Sequence, residues 1–173
     1  MAEWRGVEFY GRTVLDVGGY DGHDAIDALK HGASRATVID NKQWRQYGWP
    51  EPVQDDRVVY ADADLFDWDE KADVVLCINV IYHLRNPLEG IKKLRQLTRE
   101  VLIIRSSWVP ESEAEGGWHW YENGSGHQNN TVWARPTRQG LWVALESHGF
   151  KSLREPEEVE QANDERTIVC RPA

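Results

Sequence analysis

The sequence of 173 residues predicts an α/β protein, a three-layer sandwich in which helices cover both faces of a mostly parallel sheet. Short runs that are apolar without polar alternation, such as ADVVLCI at 72–78 and VLIIR at 101–105, alternate along the chain with helical patterns. Strands that are apolar on both faces belong to sheets that are buried on both faces. The helical stretches are few, so we expect reduced helical layers.

The predicted elements follow one another in strand–helix order. Strands are predicted at 12–17, 35–40, 57–61, 72–78 and 101–105, with two closing strands at 151–154 and 166–171. Helices are predicted at 22–31, 87–98 and 136–148; in the second, a proline occupies the first turn and leucine or isoleucine recurs at 88, 91, 94 and 97.

Two connections carry few aliphatic residues. Residues 41–56 contain glycine and two prolines and predict a loop with at most one helical turn, in which Trp44 and Trp49 cover a sheet face. Residues 108–135 are polar, aromatic and rich in glycine, and they are too many for an ordinary connection. We therefore predict one domain over residues 1–173, with 108–135 as a lid or acceptor loop.

Composition restricts the classes of function. The longest apolar run, at 72–80, is too short to span a membrane, and the first residues, MAEWRGVEFYG, contain no apolar signal segment. Cys77 and Cys170 both lie in apolar strand patterns, which predicts buried free thiols in a reducing cytoplasm. The sequence predicts a cytoplasmic protein with no membrane partner.

Charge argues against a broad nucleic-acid surface. The net charge is −9, whereas affinity for a phosphate backbone comes from lysine and arginine. A local basic patch stays open, with candidates at Lys92, Lys93, Arg95, Arg135 and Arg138.

The stretch VLDVGGYDGHDAI at 14–26 predicts a glycine turn between a strand and a helix, an arrangement that sets backbone N–H groups against a ligand. A dinucleotide fingerprint fails from Gly18 because its third and sixth positions hold Tyr20 and His23, and it also fails from Gly19. No G-K-[ST] sequence is present, which excludes a P-loop.

A different pattern does fit. Asp16, Gly18 and Gly22 form acid-x-Gly-x-x-x-Gly, and Asp40 closes the next strand about twenty residues later, where an acid suits a ribose with free hydroxyls. The acids at 16 and 21 disfavour a pyrophosphate at this turn and tolerate a cationic sulfonium or ammonium group.

Four segments in order and spacing, VLDVGGYDG, ATVIDNK, YADAD and ADVVLCINVIYHL, resemble the class I S-adenosylmethionine-dependent methyltransferases. The resemblance implies a Rossmann-like, mostly parallel seven-stranded sheet with an antiparallel last strand. It also implies that S-adenosylmethionine lies across the carboxyl ends of the first four strands. The implied activity is direct in-line methyl transfer to a small molecule or nucleobase, with S-adenosylhomocysteine as product.

The resemblance also implies roles for individual residues. Turn residues would lie against the methionine end of the cofactor, with Tyr20 standing where a central glycine is usual. Asp40 would accept from the ribose hydroxyls, Asn41 would lie beside adenine, and Asp62 with the N–H of Ala63 would read the adenine edge. Asp64 is the alternative to Asp62 as the carboxylate that accepts from the adenine amine. The full set of expected cofactor-binding residues is Asp16, Gly18, Gly19, Tyr20, Gly22, Asp40, Asn41, Asp62, Ala63 and Asn79.

Several of these residues also have an alternative interpretation, in which they serve only the fold and do not bind a cofactor. Glycines at 18 and 22 serve tight turns, and aspartates at 40 and 62 can cap a following turn. Asn79 can simply end its strand, although the carboxyl end of a parallel strand is where ligands collect.

Three further segments, INVIYHLRNPLEGIKKL, WARPTRQGLWVALESHGF and ERTIVCRP, resemble the branch that contains the tRNA wobble-uridine carboxymethyltransferases. In that branch a tyrosine and an arginine hold the carboxylate of carboxy-S-adenosylmethionine, and Tyr82 and Arg166 match their positions. Those enzymes also take a lysine from an N-terminal extension, for which we expect no counterpart here, and this expectation counts against carboxymethyl transfer and tRNA binding.

His83, Tyr82 and His119 are the candidate catalytic residues, because histidine titrates near neutrality and can move a proton. Packing is the alternative for the Tyr-His pair, and the aromatic residues at 118, 120 and 121 can pack the loop or stack on an acceptor. The spacing of His119, Glu122 and His127 matches no metal motif, so we predict no metal site.

Three hypotheses stay open at this point: a methyltransferase, a carboxymethyl or other alkyl transferase, and a non-catalytic cofactor-binding subunit of a larger enzyme. The acceptor is unidentified, and either a homodimer or a partner subunit is compatible with the sequence.

Overall fold

The computed structural model describes residue 4 and residues 6–41, 53–122, 125, 131–152 and 165–173. In this part of the chain there are nine strands and three α-helices. The strands are β1 Thr13–Val17, β2 Arg35–Asp40, β3 Val58–Asp62, β4 Ala72–Ile78, β5 Thr98–Ser107, β6 Trp118–Trp120, β7 Ala134–Pro136, β8 Phe150–Ser152 and β9 Glu165–Pro172. The helices are α1 His23–Lys30, α2 Pro87–Leu97 and α3 Arg138–Ser147.

Seven strands form one sheet in the order β3-β2-β1-β4-β5-β9-β8. Strands β1 to β5 pair in parallel, with Val14 in register with Ala36 of β2 and with Val74 of β4. Strand β9 is antiparallel to both of its neighbours, β5 and β8. The predicted fold class is therefore confirmed, including the antiparallel insertion of the last strand.

The sheet separates two apolar cores, which explains why its strands are apolar on both faces. In β4, Val75 and Cys77 pack into one core together with α2 and α3. The alternate residues Val74, Leu76 and Ile78 pack into the other core, which contains α1. Because successive strand residues point to opposite faces, a strand covered on both sides must be apolar throughout.

Two of the helices begin at side-chain caps. The Asn86 side chain accepts from the backbone N–H of Glu89 at the start of α2, and Thr137 accepts from the N–H of Gly140 at the start of α3. Proline has no backbone N–H, and it is tolerated at the first position of α2 because an N–H at that position would have no acceptor within the helix.

Leu88 was expected on the buried face of α2, and this expectation is wrong because its residue is 38% exposed. The buried positions of α2 are 87, 90, 91, 94 and 97. At 100° per residue, position 88 lies well away from the centre of this stripe. Pro87 contributes to the apolar face in its place.

The segment predicted as a loop at 108–135 contains regular structure. Strands β6 and β7 pair antiparallel in a separate two-stranded sheet, with His119 opposite Arg135. We call residues 117–121, which include β6, and residues 131–136, which include β7, the flap. Strands of three residues are too short to show alternation, so the sequence pattern could not reveal them.

Other differences from the prediction are small. Strand β5 begins three residues earlier than expected, directly at the end of α2. Trp44 and Trp49 lie outside the described residues, as do 42–52 and 153–164 of the connections. None of the helices in the described ranges is long and apolar enough to cross a membrane.

Both cysteines are free and buried, as predicted. Burial, together with the negative charge of Asp16, raises the pKa of the Cys77 thiol to about 12. Burial likewise raises the pKa of Cys170. Neither thiol is a reactive nucleophile at neutral pH.

The flap is joined to α3 by a contact between two glycines, which predicts the effect of a methyl group there. A Cβ at Gly140 would overlap the carbonyl group of Gly117, so backbone must move. Gly140→Ala should lower the free energy of unfolding by about 1–3 kcal/mol, the usual cost of overpacking. Denaturant unfolding followed by circular dichroism measures this change.

Gly90→Ala is the matched control, since Gly90 is also a buried helical glycine. A Cβ there would overlap the end of the flexible Leu84 side chain, which can turn away, and would lie at ordinary contact distance, 3.4 Å, from Cδ1 of Ile81. The gain in helix propensity, up to about 1 kcal/mol, should offset this displacement. Equal destabilisation by the two substitutions would contradict a special contact at Gly140.

Candidate functional site

A cavity of about 1000 Å³ lies at the carboxyl ends of the parallel strands. It opens where the strand order reverses, because the chain runs outward from β1 to β3 and then returns to place β4 on the other side of β1. Ligands of open α/β sheets bind at such switch points. The lining residues are 17, 18, 20, 39–41, 63–66, 78–80, 82–86, 107, 131–133 and 135.

The turn between β1 and α1 lies at the centre of the cavity and has no room for side chains at its glycines. Gly18 has φ 63°, and a Cβ on it would lie 2.5 Å from Cγ2 of Val80, the second residue after β4. A Cβ on Gly19 would overlap the Asp16 carboxyl group, and one on Gly22 would overlap the Tyr60 hydroxyl. The glycines are therefore needed for close approach, and Gly18 also for its left-handed conformation.

Asp16 lies beneath this turn and does not line the cavity. Its carboxyl group is buried and accepts from the backbone N–H of Ala25 in the first turn of α1, while Oδ2 has no hydrogen-bond partner in the part of the chain that the structure describes. Burial raises the pKa of Asp16 well above its ordinary value, and the charges of Asp24, Asp40 and Asp21 raise it further. Asp16 is thus placed to support the turn rather than to touch a ligand.

Tyr20 and Asp40 connect the turn to the end of β2. Tyr20 has φ 57°, a left-handed conformation that costs a residue with a side chain about 1–2 kcal/mol. In this conformation its backbone N–H donates to Oδ2 of Asp40 at 3.1 Å. The bond orients the Asp40 carboxylate at the cavity wall.

Asn41 and Asn79 each place a side-chain oxygen where it is buried and has no hydrogen-bond partner among the described residues. Both residues line the cavity, Asn41 after β2 and Asn79 after β4. Asn79 is held at φ 60° while its backbone N–H donates to the Arg105 carbonyl oxygen at 2.9 Å. Buried oxygens without partners in a cavity indicate sites for ligand donors such as amine or hydroxyl groups.

The residues at the end of β3 and directly after it are placed differently from each other. Asp62 and Asp64 are both exposed, but Asp64 lines the cavity together with Ala63, whereas Asp62 does not. The backbone N–H of Ala63 donates to the Asp40 carbonyl oxygen at 3.2 Å, and the Asp64 side chain accepts from the N–H of Phe66. The structure therefore brings the runner-up acid, Asp64, to the wall.

Tyr82 and His83 line the cavity from a 3₁₀ turn at Ile81–His83. Nδ1 of His83 lies 2.7 Å from the carbonyl oxygen of Thr131. A carbonyl oxygen only accepts, so Nδ1 carries a proton and Nε2 of the neutral ring is an acceptor. The two rings lie 4.4 Å apart and hold each other in place.

The structure does not bring His119 into the cavity. Its Nδ1 bonds the Glu113 carbonyl oxygen at 2.8 Å, and its ring packs on that of Tyr121. The backbone of Arg166 pairs with Ser106 in the sheet, but its side chain lies outside the described part of the structure, as does His127. Within the described ranges, no three histidine, cysteine or acidic residues are grouped as metal ligands.

The flap and the turn after β4 form the side of the cavity opposite Asp40 and Asp64. The sequence did not predict two of the residues that line this side, Arg85 and Trp133. The N–H of Trp133 donates to the Tyr82 carbonyl oxygen at 2.9 Å, which joins the flap to that turn. The guanidinium of Arg85 lies 4.7 Å from the ring centre of Trp133, and Arg135 lines the same side. Arg135 was a candidate for a basic patch, but nothing in the sequence pattern placed Trp133 or Arg85 here.

Comparison with known proteins agrees with this geometry. Residues 3–155 match the family model described as a methyltransferase domain. A tRNA U34 carboxymethyltransferase of Dichelobacter nodosus is 28% identical over 162 residues, which cover 84% of this chain and 48% of that protein. The chain thus spans less than half the length of the curated carboxymethyltransferases it matches.

Two solved structures share the fold. An S-adenosylmethionine-dependent methyltransferase from Mesorhizobium loti superposes with a TM-score of 0.71 at 16% identity, covering 95% of this chain and 93% of that one. The Burkholderia thailandensis 1,6-didemethyltoxoflavin-N1-methyltransferase, solved with 1,6-didemethyltoxoflavin and S-adenosylhomocysteine bound, has a TM-score of 0.68 at 18% identity. That match covers 94% of this chain and 72% of the neighbour.

The buried carboxyl of Asp16 predicts a pH-dependent difference from an amide. Its protonated form contributes stability that is present below the unfolded pKa of about 3.9 and is lost as pH rises through the raised folded pKa. Asp16→Asn cannot ionise. The variant should therefore gain stability relative to the wild type as pH rises from about 4 to 8.

Denaturant unfolding of both proteins at several pH values tests this expectation. Other titrating groups, Asp24 included, are common to the two proteins and largely cancel in the difference. A difference in unfolding free energy that is flat with pH, or that falls as pH rises, would contradict the raised pKa.

Proposed function

The chain belongs to the methyltransferase domain family, and on that premise we propose that it is an S-adenosylmethionine-dependent methyltransferase that acts on a small molecule or a nucleobase. The observation that carries the proposal is the meeting of Gly18, Asp40 and Asn79 around one cavity at the switch point of the sheet. Its volume lies at the upper end of the range for ligand sites, which suits a cofactor together with a small acceptor.

The donor and acceptor atoms at the wall fit this cofactor. The Asp40 carboxylate, oriented by the Tyr20 N–H, would accept from the ribose hydroxyls. The unpaired oxygens of Asn41 and Asn79 would accept from amine groups at the adenine and methionine ends. Asp16, Asp21 and Asp24 around the turn favour a cationic ligand over a pyrophosphate.

S-adenosylmethionine, when bound, supplies an electrophilic methyl group on a sulfonium, which leaves as a neutral thioether. The protein then has to align the acceptor with the methyl group and exclude water. The flap and the 3₁₀ turn at Ile81–His83 would form the acceptor side of the site. His83, which lines this side and is oriented by the contact between its Nδ1 and the Thr131 carbonyl oxygen, would take a proton from an acceptor that must lose one.

A carboxymethyl transferase is the second candidate, favoured by the names of the curated relatives. Tyr82, which the resemblance assigns to the cofactor carboxylate, lines the cavity. Direct competition between S-adenosylmethionine and carboxy-S-adenosylmethionine in calorimetry separates the two activities. Tighter binding of the carboxylated form would replace the leading proposal with this one.

The remaining expectations belong to the same proposal. We take residues 1–173 as one domain with 108–135 as the acceptor loop, and the buried free thiols favour a reducing cytoplasm. Either a homodimer or a partner subunit is compatible with this arrangement.

The ribose assignment predicts the effect of removing the Asp40 carboxylate. Asp40→Ala should weaken binding of S-adenosylmethionine by about 1.5–3 kcal/mol, since hydrogen bonds to a charged group are lost. Isothermal titration calorimetry measures the change. Asp69→Ala is the matched control, because the Asp69 side chain is 92% exposed, pairs with Lys93 and does not line the cavity.

Two outcomes are informative here. If Asp40→Ala binds as tightly as the wild type, the ribose assignment is wrong. If neither protein binds S-adenosylmethionine or S-adenosylhomocysteine, the proposed function itself fails for the isolated chain.

The adenine end predicts a difference between two neighbouring acids. The resemblance assigns the adenine amine to Asp62, but Asp64 is the acid at the cavity wall. Asp64→Asn should therefore weaken cofactor binding more than Asp62→Asn does, by several-fold on the scale of one charged hydrogen bond. A larger loss at Asp62, again by calorimetry, would restore the assignment from the resemblance.

A further inference from the structure

The cavity has charges of opposite sign on its two sides. On the side formed by the end of β2 and the residues after β3, the acids that line it among the described residues are Asp40 and Asp64. On the side formed by the turn after β4 and by the flap, the charged lining residues within the described ranges are Arg85 and Arg135, with His83 beside them. The boundary between the two sides is the switch point at Gly18 and Asn79.

The two arginines are held by one continuous wall. Trp133 bonds the Tyr82 backbone through its N–H and bonds Tyr121 through its carbonyl oxygen, each at 2.9 Å. Arg85 stacks on the Trp133 ring. The guanidinium of Arg135 lies 5.7 Å from the ring centre of Tyr121, so the same short segment of flap orients both cations.

The backbone that carries Arg135 is firmly placed. Its neighbours in β7, Ala134 and Pro136, are buried, and Trp118 pairs with Pro136 across the two-stranded sheet. Arg135 itself is half-buried, which lowers the dielectric screening of its charge compared with a surface arginine. A planar guanidinium in such a position is suited to bind a carboxylate or phosphate through two parallel hydrogen bonds.

We propose that the methyl acceptor is a small molecule that carries a carboxylate or phosphate group, held by Arg135 with Arg85 at the rim. This inference rests on the proposed function, because it assigns the acid-lined side to the cofactor and the arginine-lined side to the acceptor. Tyr82 and Trp133 on the same side favour a planar acceptor, since aromatic faces stack on flat rings.

The rest of the protein's charge favours a small anion over a nucleic acid. The net charge of −9 repels a polyanion that must track a large surface. A confined pair of cations in a cavity, by contrast, attracts one anionic group and leaves the surrounding surface uninvolved.

Binding of simple probes to the protein saturated with S-adenosylhomocysteine tests the proposal. Benzoate and phenyl phosphate present the two anionic groups on a planar ring, and benzamide is the uncharged counterpart of benzoate. Ligand-observed NMR titration should show at least about tenfold weaker binding of benzamide than of the better anion. The ratio of benzoate to phenyl phosphate affinity then identifies which anionic group the site accepts.

Arg135→Gln should lower the affinity for the better anion by at least about tenfold while binding of S-adenosylhomocysteine stays within about twofold. Arg171→Gln is the matched control, because it makes the same charge change at an exposed position in β9 that does not line the cavity. It should leave both affinities unchanged.

Several results would overturn the inference. Equal binding of benzamide and the anions, or an unchanged affinity in Arg135→Gln, removes the anion site. A loss confined to S-adenosylhomocysteine or to carboxy-S-adenosylmethionine reassigns the arginine to a cofactor carboxylate. Tighter binding of a uridine-containing RNA stem-loop than of either small anion, abolished by Arg135→Gln, reassigns it to nucleic acid.

The proposed function fails in a different way. If the wild type does not bind S-adenosylhomocysteine, the cofactor assignment is wrong before any probe is added. If it binds S-adenosylhomocysteine but shows no preference for anions, only the acceptor inference is wrong.

Discussion

The turn between β1 and α1 has no spare volume, and the arrangement of the cavity depends on it. Gly18 packs against Val80 from the end of β4, Gly19 lies on the Asp16 carboxyl, and Gly22 lies on the Tyr60 hydroxyl. The contacts of Gly18 and Gly22 place the turn against the residues after β4 and against the middle of β3. Since the Tyr20 N–H also donates to Asp40 at the end of β2, this one turn connects β1 to the three strands that surround the cavity.

The same turn concentrates negative charge. Asp16 is buried with a raised pKa, and Asp24 also has a raised pKa, chiefly because of burial. Such a cluster is costly to keep ionised in a low dielectric. A cationic ligand nearby reduces that cost, whereas a phosphate increases it, which gives a physical reason why this glycine turn suits a sulfonium better than a dinucleotide. The arginines lie beyond the switch point, on the flap side of the cavity.

The two-sided burial of the sheet made the fold predictable. Every residue of β4 from Val74 to Ile78 is buried, in alternation between two cores, so the strand appears in the sequence as an unbroken apolar run. The bounds of β2 and β4 agree with the prediction to the residue. The prediction from helical periodicity was wrong at Leu88, which is exposed. The buried residue at the start of α2 is Pro87.

The sequence by itself determined the order of strands and helices along the chain, the glycine turn and the acid that ends β2. Each of these depends on residues that are close together in the chain. Only the tertiary structure decided which residues share the cavity. The resemblance favours Asp62 over Asp64, two residues further on, yet the backbone path at the end of β3 brings only Asp64 of the two to the wall. His119 and Arg135 face each other across β6 and β7, but Arg135 lines the cavity and His119 does not. The flap contacts join residues about fifty positions apart, such as Tyr82 and Trp133, and no local propensity encodes a contact of that range.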